Sequence, residues 1–278
     1  MVINASEIYF ELTKTKRFIG NNPITLSRKS FDKKKEYFVT PKTDGIRRLL
    51  LLTKGKVFSI SSKMEFTEIF LTKNISAFDN TLIDCELYNK KYFAFDILFG
   101  NDGEDLRKKV SLQERLGILS KIIKKIKSRR LILKSYTKLN CETFKKNLEE
   151  NKGRFKEGDL DGYIFTPSGE YIDTILKWKP VHLLSNDFKI RNEGDYMFLL
   201  LQNGNIFSPK GFHGVGKVKY KLGDQRFIDG DIVEFIFENG KFVPLRSRPD
   251  KIKSNHISVI LDNFKEMINP TEVSQIVC

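Results

Sequence analysis

The chain is poor in the residues from which disulfide scaffolds and metal centres are made. It has three cysteines and three histidines in 278 residues. Cys85, Cys141 and Cys278 are far apart and odd in number, which excludes a disulfide framework and leaves no zinc-ligand spacing. His182, His213 and His256 form no cluster, so neither a structural nor a catalytic zinc is expected. Long hydrophobic runs are missing too: none approaches the roughly 20 residues that span a bilayer. The start, Met1-Val2-Ile3-Asn4-Ala5-Ser6-Glu7, lacks the basic and apolar stretches of a secretion signal. A cytoplasmic or nuclear location is the default expectation, with no membrane partner.

Positive charge is what the chain has in excess. Lysine and arginine number 49 against 35 acids, a net charge of +14. Cations on a soluble protein release counterions from phosphates, so the expected partner is a nucleic acid or nucleotide. Charge alone does not say which. At 40% hydrophobic and 30% charged, the chain can bury a real core. Its length suits one large domain or two ordinary ones.

Short β-rich runs punctuated by turns fill 36–97: Tyr37-Phe38-Val39, Leu49-Leu50-Leu51-Leu52, Val57 to Ile60, Thr81-Leu82-Ile83 and Tyr92 to Phe95. Leu112, Leu116, Leu119, Ile122, Ile123 and Ile126 recur at helical spacing, and Ser111 with Glu114 reads as a capping box. The lysines of this helix read as a solvated face. A second helix is predicted over 142–150. Strands return at 162–165 and 174–179, Pro180 breaks the pattern, and 188–245 is again β-rich, as a small barrel would be. A last helix is predicted over 256–268, with a domain boundary near 181–188.

Lys42-Thr43-Asp44-Gly45-Ile46-Arg47 places a lysine at a turn between strands, where it can be aimed into a cleft. Asp84 and Glu86 share one strand face, as do Lys177 and Lys179, with Trp178 opposite. Each of these, alone, is more often surface charge around a core residue. Gly211 to Lys217 imitates a phosphate-cradling glycine loop but lacks the strand–loop–helix context, and reads as a turn.

Together and in order, the motifs resemble those of the covalent nucleotidyltransferases in their mRNA capping enzyme (guanylyltransferase) form. Lys42 to Arg47 is similar to KxDGxR, and Leu82 to Leu87 to the acidic strand that follows it. Tyr92 to Leu98 resembles the aromatic-aspartate strand, Asp161 to Pro167 the EGxxFTP-like strand, Ile175 to Pro180 the LKWKP strand, and Arg248-Pro249-Asp250-Lys251 the RxDK motif, with Asn255 following. Cys85 replaces the usual glycine, and Asp161 replaces the usual glutamate, one methylene shorter.

The resemblance implies an α+β fold: an antiparallel-sheet nucleotidyltransferase domain over 1–184, a C-terminal OB-fold barrel over 185–255, and a helical segment over 256–278 packing on the first domain. It implies that Lys42 attacks GTP to form a lysyl-GMP intermediate, then transfers GMP to the 5′-diphosphate end of RNA, with Mg2+ or Mn2+ as cofactor. Catalytic roles fall to Lys42, Arg248, Asp250 and Lys251. Thr40, Arg47, Glu86, Phe95, Lys177 and Lys179 would bind the nucleotide, with Arg47 at the ribose and Phe95 stacked on guanine. Asp161 and Glu86 would face the metal. Lys177 and Lys179 would disfavour the ammonium form of Lys42, which a lysine with an ordinary pKa near 10.4 needs before it can attack. A triphosphatase and a cap methyltransferase would be separate proteins or other parts of a longer one. The richness in Lys, Asn, Ile and Phe hints at an AT-rich, viral genome, and so at a viral factory or virion as an alternative location. Two other readings stay open: an ATP-dependent polynucleotide ligase, which shares the lysine and the barrel, and a non-catalytic nucleic-acid-binding module.

Overall fold

A strand sends successive side chains to opposite faces, so four consecutive leucines are all buried only where both faces are covered. Leu49-Leu50-Leu51-Leu52 meet that condition. The computed structural model describes residues 3–71, 75, 77–108, 110–151, 153, 160–220, 227–270 and 272–278. In it these leucines lie on β3 (Ile46–Thr53), each 0% exposed. Leu50 and Leu52 join a core with Ile83, Ile97, Leu119, Ile122 and Ile126. Leu49 and Leu51 join another with Ala5, Tyr9, Leu82 and Leu98.

The neighbours of β3 are β4 (Lys56–Ile60), β5 (Phe66–Ile69), β6 (Thr81–Tyr88), β7 (Lys91–Phe99) and β8 (Leu131–Leu133), in a sheet ordered β5-β4-β3-β6-β7-β8. One face is covered by α1 (Ala5–Thr13), which the sequence patterning missed, and the other by α2 (Leu112–Ile126). The predicted capping box is formed: Ser111 Oγ accepts from the Glu114 N–H, and the Glu114 carboxylate accepts from the Ser111 N–H at 2.9 Å. Arg115, fully buried on α2, forks onto Asp96 of β7 at 2.8 and 3.1 Å and also donates to the carbonyls of Val110 and Gly169.

A second sheet is ordered β1-β11-β10-β2-β9 from β1 (Ile24–Thr25), β2 (Tyr37–Lys42), β9 (Thr137–Lys138), β10 (Gly162–Pro167) and β11 (Leu176–Trp178). Phe144 of α3 (Cys141–Glu150) meets Tyr163 and Phe165 edge-on, each at 5.5 Å, and Tyr163 stacks on Trp178. These aromatic rings define the packed face. The chain passes from this sheet into the first at 42–46. Among the described residues all pairings between strands are antiparallel except β1 with β11 and β7 with β8.

These elements form one compact unit, Met1–Trp178 with Val277; a second comprises Lys179–Ile276 with Cys278. The second holds a sheet ordered β14-β13-β12-β15-β16, from β12 (Asn186–Glu193), β13 (Tyr196–Leu200), β14 (Lys217–Lys219), β15 (Ile232–Glu238) and β16 (Lys241–Ser247). Phe188, Phe207, Phe235 and Phe242 fill its core with Ile260, Phe264 and Met267 of α4 (Ile257–Ile268); α5 (Val273–Val277) follows. Among the described residues no hydrogen-bonded pairing joins β14 to β16. The glycine-rich stretch leads into β14 and not into a helix. Gly216 is required there by close packing, since a Cβ would lie 2.1 Å from the Phe207 carbonyl oxygen. Among the described residues the fold is thus mixed α/β built on three sheets, and no helix is long and apolar enough to cross a membrane.

Candidate active site

The site begins where β2 ends. Lys42 is the last residue of that strand and not a loop residue, so its backbone is held by the sheet. It pairs with Gly162 of β10, and its carbonyl accepts from the Asp161 N–H at 3.0 Å. Directly paired residues on antiparallel strands share a face. Thr40 pairs with Ile164, and Ile164 with Lys177, so Thr40, Lys42 and Lys177 lie on one face, away from the Tyr163–Trp178 stack. Lys179 follows directly after β11 and opens the second unit. The Lys42 ammonium is paired with the Asp161 carboxylate, which is 8% exposed.

The turn after Lys42 is pressed against β6. A Cβ on Gly45 would lie 2.6 Å from the Leu87 carbonyl oxygen, so only glycine fits, and its N–H donates to Glu86 Oε1 at 3.1 Å. Burial pushes the Glu86 carboxyl above its ordinary pKa, although Lys134, Lys42 and the Gly45 N–H pull it down.

Register brings the rest together. Arg47 pairs with Glu86 across β3 and β6, and Leu49 with Asp84. A bulge in β7 lets Asp84 face Asp96 while Cys85 faces Ala94, leaving Phe95 as the extra residue. Phe95 lies beside Arg47, whose guanidinium carbon is 5.4 Å from the ring centre. Tyr136 donates to the Phe95 carbonyl at 3.0 Å and so ties down the bulge.

Arg47 uses all its donors. It forks onto Asp84 at 3.0 and 2.6 Å and reaches the Asn21 carbonyl, Asn22 Oδ1 and the Tyr171 hydroxyl. Burial works against its charge, but Asp84 outweighs that and raises its pKa. Asp84 is 0% exposed and also accepts from Tyr171 Oη at 2.6 Å. It is therefore closed to a cation, whereas Glu86 and Asp161 both act on Lys42.

Lys134, just past β8, has no sequence motif to announce it. Its ammonium donates to the Pro41 carbonyl at 3.2 Å and lies 5.8 Å from the Phe95 ring centre. Burial, aided by the charge of Lys42 and opposed by Glu86, pushes its pKa down to about 8. Thr40 holds this segment in place: it is buried, and its hydroxyl donates to the Ser135 carbonyl at 2.7 Å.

Arg248, Asp250 and Lys251 form a network inside the second unit. Arg248 forks onto Asp250 at 3.0 and 2.9 Å and reaches Asp187 and Glu234, while Lys251 pairs with Asp187. Asn255 accepts from the Asp187 N–H at 2.7 Å. Among the described residues no cluster of three or more His, Cys, Asp or Glu is gathered to hold a metal.

At the junction of two sheets, then, a lysine is paired with an acid, Asp161, shares its sheet face with Lys177, and lies within electrostatic reach of Glu86 and Lys134. The family described as "mRNA capping enzyme, catalytic domain" matches residues 3–181, and the chain belongs to that family. It is 28% identical to the mRNA-capping enzyme subunit alpha of Schizosaccharomyces pombe, over 89% of this chain and 76% of that protein. It is 32% identical to the mRNA-capping enzyme of Mus musculus over 45% of this chain, but this match covers only 22% of the mouse protein. A solved mycobacterial DNA ligase D, complexed with ATP and MES, is similar over 84% of this chain and 97% of that one, at 13% identity and a TM-score of 0.47, too distant to weigh further.

Proposed function

We propose that the chain is an mRNA guanylyltransferase that carries GMP on Lys42. The observation that supports this most is the pairing of Lys42 with Asp161 at a sheet end whose same face carries Lys177. In the first step the neutral amine attacks the α-phosphorus of GTP. An N–P bond forms, the bond to pyrophosphate breaks, and the lysine proton leaves through Asp161 to solvent. In the second step a terminal oxygen of a 5′-diphosphate RNA attacks the same phosphorus. The N–P bond breaks, and Lys42 is reprotonated. Lys177 and Lys179 would neutralise the phosphate charge, since phosphoryl transfer depends chiefly on positioning and electrostatics. Phe95 would pack on the base. Lys134, a donor with no acceptor, suits guanine O6 and not the amino group of adenine. Arg47 would reach the ribose by exchanging one of its outer partners.

Mg2+ or Mn2+ typically takes one or two carboxylates and completes its shell with substrate phosphates and water. Asp161 and Glu86 fit that donor set, and both already act on one cation, Lys42. Such an ion would neutralise charge on the triphosphate. We take the second unit as an OB-type barrel, because its five strands run in an order whose ends, β14 and β16, lie near each other. Arg248, Asp250 and Lys251 would then serve the departing pyrophosphate when this unit closes. The triphosphatase and methyltransferase steps of capping would belong to other proteins or other parts of a longer chain.

The test is incubation with α-labelled GTP and a divalent metal. An acid-labile label is expected on the wild type and none on Lys42→Ala. Stronger labelling from ATP would make the chain a ligase-type enzyme, and no labelling from either would overturn the reading.

A further inference from the structure

The second half of the reaction needs the end of an RNA at Lys42, and the fold shows a surface where the rest of that RNA can lie. The C-terminal end of α2, the link 127–130 and the β6–β7 hairpin tip are joined edge to edge. Arg130 donates to the Lys90 carbonyl and the Phe70 carbonyl, each at 3.2 Å, and its own carbonyl accepts from the Tyr92 N–H at 2.7 Å. Residues 121–130 carry six cations and no acid, and Lys90 and Lys91 add two more. All eight are exposed, and none has a carboxylate partner among the described residues. Elsewhere in this unit Lys35, Lys56 and Lys138 do have one. Cations in the last turn favour the helix dipole. That accounts for Lys124 and Lys125 but not for Lys90, Lys91 or Arg129. Phe70, whose carbonyl accepts from Arg130, is 68% exposed, and an exposed aromatic ring suits stacking with a base.

The patch adjoins the site. Ile46 pairs with Leu87, and Gly45 bonds to Glu86, four residues before Lys90. At about 3.3 Å per strand residue, the hairpin tip begins about 13 Å from Glu86.

We propose that this basic surface binds the RNA nucleotides that follow the 5′ end being capped, through their phosphates. The inference rests on the guanylyltransferase reading and deepens it. The test uses the full chain with the triple substitution Lys124→Glu, Lys125→Glu, Lys127→Glu, and separately Lys90→Gln with Lys91→Gln. Three activities are measured: label taken from GTP, transfer to a 5′-diphosphate RNA of some twenty nucleotides, and transfer to a 5′-diphosphate dinucleotide. Label uptake and transfer to the dinucleotide should be unchanged. Transfer to the long RNA below saturation should fall about tenfold in the triple variant and less in the double. The log–log salt slope of RNA binding should become shallower by about 2, since each single-strand phosphate no longer neutralised takes about 0.7 off it. Undiminished transfer to long RNA, or equal loss with both acceptors, would overturn the proposal. Absence of any label on the wild type would instead sink the guanylyltransferase reading itself.

Discussion

A lysine withdrawn from water must find compensating charge or lose its proton more readily. Lys134 has the Pro41 carbonyl and Glu86 nearby, but burial and Lys42 prevail, and its pKa falls to about 8. The unfolded chain keeps that proton up to the ordinary value of 10.5. Between those limits the unfolded state binds more protons, so stability gains a contribution that rises with pH. Urea melts at pH 8 and pH 10 should show wild type improving relative to Lys134→Met across that window. A pH-independent difference would refute the assignment. At this scale the sequence exposed Lys42, Glu86 and Lys177 because their types and order are distinctive. It did not expose Lys134, Tyr171 or Asn21, which come from segments without a motif and meet the site only through folding. Asp84, read beside Glu86 as a paired acid, is engaged instead by Arg47 and Tyr171.

Between elements, the decisive contact is that of the β2–β3 turn with β6. Gly45 lets the turn approach within the space of a missing Cβ, which anchors the backbone three residues after Lys42. Gly45→Ala should keep a cooperative melt but lower GMP labelling at least tenfold. Gly117→Ala on α2, where nothing lies within 4 Å of the added atom, should leave labelling intact and add about 0.5–1 kcal/mol of stability. Equal labelling by the two variants would show that the turn does not position Lys42. Helical periodicity and the capping box made α2 legible in advance, since both are local. The short strands β1, β8 and β9 were not, because two or three residues carry no period and are strands only by virtue of their partners. The bulge at Phe95 is equally invisible in sequence: it depends on how β6 and β7 register.

Across the whole molecule, the RxDK motif lies in one unit and Lys42 in the other. If Arg248 and Lys251 serve pyrophosphate departure, only the first step needs them. Arg248→Ala and Lys251→Ala should each slow labelling from GTP, while transfer from preformed enzyme–GMP to diphosphate RNA stays near wild type. Single-turnover assays of the two halves check this, and equal slowing of both would contradict it. The net charge of +14 is likewise a whole-chain property, and the fold shows where part of it is exposed with no carboxylate partner among the described residues.

By itself the sequence determined the chemistry at stake: an ordered set of lysines, acids and aromatics, strong because six motifs follow one another, and a basic balance that calls for phosphate. Those are properties of residue type and order, which a linear string holds in full. The tertiary structure decided which groups are available. It paired Lys42 with Asp161, closed Asp84 behind Arg47, brought Lys134 near Lys42 and Glu86, and set the exposed cations at the C-terminal end of α2 beside the hairpin tip. Each of these depends on burial and on contacts between residues distant in sequence, so each arises only once the sheets have paired and packed.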